Sequence, residues 1–355
     1  MEQLKVIANK LNIRTSPVLN FTDKHNIIGV LHKDSVFESV SEITNELGIW
    51  HVDRDGNWAS EKWLDNLSKA DISIPEWMTT LKIPQLWEYA TGKNVGVAVI
   101  DTGIDFENAE LPYDKSKTFV FSNVVSLQDT QGHGTHCSGL IGARNRNKKI
   151  IGTAPSCNLF ICKIAGGSNL EESETIRYAD AINWCADQEE IHVISISWGS
   201  FINRKDILEK IQQAIDNAVN KKKIVVCAIG DATQFNDPGP LYPAALLNTI
   251  SIGSVPIKNI LYPYINSSLL TIVDGLNIPS YSINGEILQL TGTSQSNAIV
   301  AGIVALIIEK KNFSYDIGDI RRILLGASAL RPFENLQLPV LNGDLLLTYF
   351  KNPSI

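Results

Sequence analysis

Three short segments set residues capable of nucleophilic chemistry among small neighbours. In Val97-Ala98-Val99-Ile100-Asp101-Thr102-Gly103 a run that is apolar on both faces ends in a carboxylate and a Gly turn. Open α/β sheets build their sites at such carboxyl ends of strands. In Gly132-His133-Gly134-Thr135-His136-Cys137-Ser138-Gly139 two histidines open a helix, flanked by residues small enough for close approach. In Gly292-Thr293-Ser294-Gln295-Ser296-Asn297 a serine stands at the start of the apolar helix 298–308. Free N–H groups and the helix dipole there favour developing negative charge. Taken singly, Asp101 and Ser294 serve equally well as caps. The two histidines lack the glutamate of HExxH and any evident third ligand, which argues against a metal site. Together, hydroxyl, imidazole and carboxylate are the parts of an activated serine nucleophile.

The segments around them supply a frame. Val95–Ile100, Asn158–Lys163, His192–Ser197, Ile224–Ile229 and Thr249–Gly253 are short, mostly β-branched runs, and Glu174–Gln188 and Lys205–Lys222 between them are amphipathic. Continuous apolar strands alternating with helices predict an α/β fold, a parallel sheet covered on both faces.

The chain order Asp, His, Ser is that of the subtilisin triad, and the segments VAVIDTGID, GHGTHCSG and GTSQSNAIVAG resemble the three signatures of the subtilase family. IIGTAPSCNLFICKI, VISISWGS and the closing VLNGDLLLTYF match its intervening and final segments, so the resemblance runs from Trp87 to about Tyr349. It implies a subtilisin-like three-layer fold with a mostly parallel central sheet and a serine endopeptidase acting through an acyl-enzyme. Asp101, His133 and Ser294 would be catalytic, and Ser197, Trp198 and Gly199 would form the backbone strand that pairs with substrate and walls the primary pocket. Two other readings stay open, a binding or scaffold protein with impaired chemistry and a transpeptidase or peptide cyclase.

The chain departs from the family pattern at four places. Asp231 stands where the family usually keeps an oxyanion-hole Asn. An ionised Asp has no donor, whereas a protonated one donates. In subtilisin itself, losing that donor costs about 10²–10³ in kcat, a known property of that enzyme. Asn297 replaces the usual Pro and is expected only to tune local backbone geometry. The loop Arg144-Asn145-Arg146-Asn147-Lys148-Lys149, where relatives bind calcium, has four cationic side chains of its six, so neither calcium nor any other cofactor is expected, although Glu110 offers one ligand. No inhibitory propeptide resemblance is present; a different unit precedes the peptidase.

That unit, 1–67, has short β-rich runs: Leu11–Arg14, Ile27–Leu31, Ser35–Val40, and Ile49–Val52 pairing with Trp58–Ser60 across Asp55-Gly56. LNIRTSP, IIGVLHKDSVF and IWHVDRDGNWASEKWL resemble a bacterial SH3-like barrel, with Trp50, Trp58 and Trp63 at its aromatic positions. A partner protein or cell-wall ligand is its implied target. A polar linker is expected over 68–83 and the peptidase over 84–355.

The 355 residues carry a net charge of −7, which gives no reason to expect nucleic acid as partner. Glu171, Glu172 and Glu174 either favour basic substrates or decorate a helix start. No apolar run is long enough to span a bilayer. The five scattered cysteines read as buried reduced thiols, and MEQLKVIANKLNIRTS lacks the apolar stretch of a secretory signal. A cytoplasmic location is therefore expected, with protein or peptide as substrate.

Overall fold

The computed structural model describes the backbone of eight strands within residues 1–66 and, from 74 onward, everything except 121–125, 146–148, 165–171, 232–240, 256–267, 334 and 353–355, with backbone only for 172–176. Chain contacts divide it into two units, Met1–Ser73 and Ile74–Ile355.

In the first unit the strands are β1 (Glu2–Val6), β2 (Lys10–Arg14), β3 (Ile27–His32), β4 (Val36–Ser39), β5 (Ser41–Asn45), β6 (Gly48–Val52), β7 (Trp58–Ser60) and β8 (Leu64–Asn66). They form a three-stranded sheet, β4-β1-β8, and a five-stranded one, β3-β2-β7-β6-β5. All pairings are antiparallel, and Val52 faces Trp58 in the expected β6–β7 hairpin. The side chains of Trp50 and Trp58, and the whole of Trp63, lie outside the described residues.

The second unit begins earlier than a linker over 68–83 would allow. Helices α1 (Glu76–Thr80) and α2 (Ile83–Leu86) occupy that stretch, and Trp77, Met78, Leu81 and Ile83 are buried in the core. Their spacing puts one apolar stripe on the helical surface, so burial outweighs the local polarity.

Next come β9 (Gly96–Asp101), β10 (Tyr113–Val120), α3 (His133–Gly142), β11 (Asn158–Lys163), α4 (Glu172–Asp187), β12 (Ile191–Ile196), α5 (Lys205–Asn220), β13 (Ile224–Ala228), β14 (Ile250–Ser254) and β15 (Leu269–Val273). The hairpin β16 (Ile278–Tyr281) and β17 (Ile287–Leu290) leads into α6 (Thr293–Lys310), then α7 (Ile317–Gly326), β18 (Ser328–Phe333), β19 (Leu336–Leu341) and α8 (Gly343–Lys351). The central sheet has nine strands in the order β10-β11-β9-β12-β13-β14-β15-β19-β18. All its pairings are parallel except β18–β19.

Period-2 alternation divides each strand between two cores. Val97, Val99, Leu159, Ile161 and Val193 pack with α3 and α6, while Ala98, Ile100, Phe160, Cys162, Ile194 and Ile196 pack with α4 and α5. The result is three layers. Helix α6 is buried from Gln295 to Ile308, which its apolar run from Ala298 onward requires. All five cysteines are buried free thiols. Among the described residues no helix is long and apolar enough to cross a membrane.

Candidate active site

Strand β9 delivers Asp101 at its carboxyl end, beside Lys163 of β11. Asp101 is buried, and its Oδ1 accepts the backbone N–H of Thr102 at 2.7 Å and lies 2.8 Å from His133 Nδ1. That contact favours the neutral tautomer with its proton on Nδ1 and a lone pair on Nε2. Desolvation pushes the His133 pKa down, but the Asp101 carboxylate, with a smaller share from Asp129, outweighs it and holds the imidazole above its ordinary value.

His133 opens α3, whose start packs hard against the turn after β9. A Cβ at Gly134 would stand 2.4 Å from the carbonyl oxygen of Gly103, so only glycine fits. The helix cap position is Gly132, which has no side chain to cap with. Asp129 does that work from outside the helix. Its Oδ1 accepts from the N–H groups of Gln131 and Gly132 and from Thr102 Oγ1, each at 2.9 Å. Its Oδ2 accepts from the N–H of Thr135 at 2.9 Å and from Thr135 Oγ1 at 2.7 Å. Burial works to raise the Asp129 pKa, but these donors outweigh it and hold it below the ordinary carboxylate value. Thr102 Oγ1 also accepts the N–H of Gly134 at 2.9 Å, tying the Asp101 turn to the His133 helix. Lys163 Nζ, fully buried, donates to the carbonyl of Gln128 next to this cluster.

The second histidine of the motif has a different job. His136 Nε2 lies 3.0 Å from the carbonyl of Ile278 and 3.2 Å from that of Leu288, pinning α3 to the β16–β17 hairpin. Burial drops its pKa to about 4, so it stays neutral. Asp101, His133 and Cys137 bring one ligand atom each within 4.8 Å of one another, the one such group found among the described residues. Burial pushes the Cys137 thiol well up, which keeps it protonated beside the pair.

Ser294 is the second residue of α6, half-buried, and its Oγ donates to the carbonyl of Ser197 at 2.8 Å. Ser197 Oγ donates back to the Ser294 carbonyl at 3.0 Å. These reciprocal bonds fix the start of α6 to the end of β12. The ring of Trp198 stacks on buried Tyr178 of α4, centroids 4.4 Å apart and planes 9° off parallel. Gly199 lies against Leu241 and Tyr242, and Ser200 and Tyr242 exchange backbone bonds of 3.0 and 2.9 Å.

Asp231 follows β13 and is buried beside the first turn of α6, where its Oδ1 accepts the Thr293 N–H at 3.1 Å. A Cβ at Gly292 would stand 2.9 Å from Asp231 Oδ2, so this glycine makes room for the carboxyl. Burial raises the Asp231 pKa, and the Thr293 donors only partly offset it. Asn297, expected to act through the backbone alone, instead uses its amide: Nδ2 lies 3.1 Å from both Ser195 Oγ and Ser197 Oγ. Glu110 is buried, with its carbonyl bonded to the N–H of Arg144. Glu172 and Glu174 stand on the first turn of α4, and Glu171 lies outside the described residues.

The motif reading missed Asp129, Thr102 and Lys163. The available signal was an Asp three residues before a glycine N-cap, a carboxylate in reach of orphan helix N–H groups.

Residues 92–339 match the model of the subtilase family, Peptidase S8. The major intracellular serine protease of Bacillus subtilis (strain 168) is 31% identical over 290 residues, covering 78% of this chain and 88% of that protein. Subtilisin NAT of Bacillus subtilis subsp. natto is 31% identical over 242 residues, 67% of this chain; the match spans 62% of that relative's length. Among solved structures, MycP1 with its N-terminal propeptide removed superposes with a TM-score of 0.63 at 22% identity, over 76% of this chain and 97% of that one. The prenylagaramide maturation protease PagA gives 0.62 at 20%, over 76% and 98%. This chain, with its mostly parallel sheet and subtilisin-like α/β fold, belongs to the subtilase family of serine proteases.

Proposed function

We propose that this chain hydrolyses peptide bonds through an acyl-enzyme, with Ser294 as nucleophile, His133 as general base and then acid, and Asp101 as the group that orients the imidazole and stabilises its charged form. The observation that carries this reading is the 2.8 Å contact of Asp101 Oδ1 with His133 Nδ1, on the same face of the sheet as the N-terminus of α6. At rest the Ser294 hydroxyl is given to the Ser197 carbonyl. Attack requires it to turn to His133 Nε2, which takes the proton as Oγ bonds to the carbonyl carbon. The oxyanion then forms beside the first turn of α6, where the positive end of the helix dipole favours negative charge. Asp231 faces that place and donates there only in its protonated form, which burial favours. Ser197-Trp198-Gly199 would pair with an extended substrate, Trp198 giving the primary pocket a flat aromatic wall.

The reaction needs no cofactor, and the cationic side chains of loop 144–149 make a poor calcium site. The antiparallel strands of the first unit support an SH3-like module over 1–67 that brings a partner or cell-wall ligand to the protease. The resemblance to an intracellular relative supports a cytoplasmic setting.

Labelling with a fluorophosphonate tests the reading. Wild type should acquire one adduct, located at Ser294 by mass spectrometry, and Ser294→Ala none. A wild-type protein that stays unlabelled, whether whole or cleaved ahead of Ile74 where the second unit begins, would overturn it.

A further inference from the structure

We infer that Asn297 is a positioning residue for the nucleophile, acting through the Ser197 hydroxyl; the inference rests on Ser294 being the nucleophile. Asn297 lies three residues beyond Ser294 on α6 and is fully buried. Its two amide hydrogens face two different oxygens, Ser195 Oγ and Ser197 Oγ, each 3.1 Å from Nδ2. A serine hydroxyl has one proton and two lone pairs. Because Asn297 donates to Ser197 Oγ, the single Ser197 proton is left for the carbonyl of Ser294 at 3.0 Å, with the protonated Cys137 thiol as a weaker further neighbour of that hydroxyl. The Ser294 hydroxyl meets the Ser197 carbonyl at 2.8 Å. One directed chain therefore runs from the Asn297 amide through the Ser197 hydroxyl to the backbone of the nucleophile. A flipped amide would aim its oxygen at Ser197, draw that proton away and leave the Ser294 carbonyl without it.

Stability does not explain this side chain. Its Oδ1 is buried with no hydrogen-bond partner among the described residues, and an orphaned buried acceptor is destabilising. What Asn297 gains is control of where Ser294 sits relative to β12, the strand end that would hold substrate. Errors of about 1 Å in that placement cost on the order of 10²-fold in rate, so a restraint one turn away acts on the chemical step and leaves ground-state binding alone.

The test is a double-mutant cycle on the full chain, read by kcat, KM and the second-order rate of fluorophosphonate labelling at Ser294. Asn297→Ala should lower kcat and the labelling rate about tenfold with KM within about twofold. Asn297→Leu, which keeps the side-chain volume without the amide donors, should do the same and serves if the alanine variant folds poorly. Ser197→Ala should give a similar loss, and the double variant should be no slower than either single. Losses that multiply in the double variant, a KM change in place of a kcat change, or wild-type rates in Asn297→Ala and Asn297→Leu would each overturn this role alone. A wild type that takes no label at Ser294 would overturn the triad reading and this one with it.

Discussion

Asp231 Oδ1 accepts the backbone N–H of Thr293 at 3.1 Å, one residue before Ser294. A carboxyl where an amide would donate faces two demands: the helix terminus favours its ionised form, and the oxyanion requires a donor. Replacing Asp231 with Asn should therefore raise kcat near neutral pH by about tenfold or more. Since burial raises the Asp231 pKa, wild type should gain on the variant as pH falls, until His133 protonates. Parallel pH–rate curves for the two proteins would contradict a titrating Asp231.

Asp129 makes its case at His133. Because its charge helps hold the imidazole above its ordinary pKa, Asp129→Asn should move the acid limb of kcat/KM to lower pH. The substitution also sets an amide N–H₂ against donors the carboxylate now accepts from, so a stability loss of about 3 kcal/mol is expected in denaturant melts. An unmoved limb in a folded variant would show that Asp129 only caps the helix.

His136 should set the acid stability of the fold. Its folded pKa of about 4 lies below the ordinary 6.5, so the unfolded chain binds the extra proton between those values. That contribution to stability is complete above pH 6.5 and is lost as pH falls toward 4, amounting to about 3 kcal/mol. Wild-type Tm should thus drop across this window, and His136→Asn should drop less steeply. Equal slopes would mean that another group governs acid unfolding.

Trp198→Ala removes a ring stacked on Tyr178. A loss of about 2–3 kcal/mol in stability is expected, from the stack and the lost burial. If the ring also walls the primary pocket, KM for substrates with a large side chain before the scissile bond should rise several-fold, with little change for small ones. A uniform effect across a peptide library would assign Trp198 to the core alone.

The parts of this molecule that could be read from the sequence are those whose physics is local. The β9, β11, β12 and β13 strands are buried on both faces, and each announces itself as an apolar run within a residue or two of its observed ends. Strand β10 is an edge strand with largely polar, partly exposed residues, so no apolar pattern marked it. The α1 stripe of Trp77, Met78 and Leu81 was hidden in a stretch that reads as polar and Pro-punctuated. Asp101, His133 and Ser294 stand in compact motifs because each needs small neighbours within a few residues. Asp129 could have been found from its spacing to Gly132, whereas Asn297 acts on Ser195 and Ser197, which only folding brings near, so neither spacing nor residue type disclosed its partners.

Helix α6 has one further consequence. Its far end is held as firmly as its start: Glu309 Oε2 accepts the N–H groups of Thr91, Gly92 and Lys93 at 2.7, 2.6 and 2.8 Å. A rod with no wet side, clamped at both ends, opens only when the whole unit opens. On warming, its amides should therefore exchange with solvent last, and the nucleophile's address should outlive the loops that bring substrate to it. Heat would silence this enzyme first by blurring what it can grip, while Ser294 is still in place.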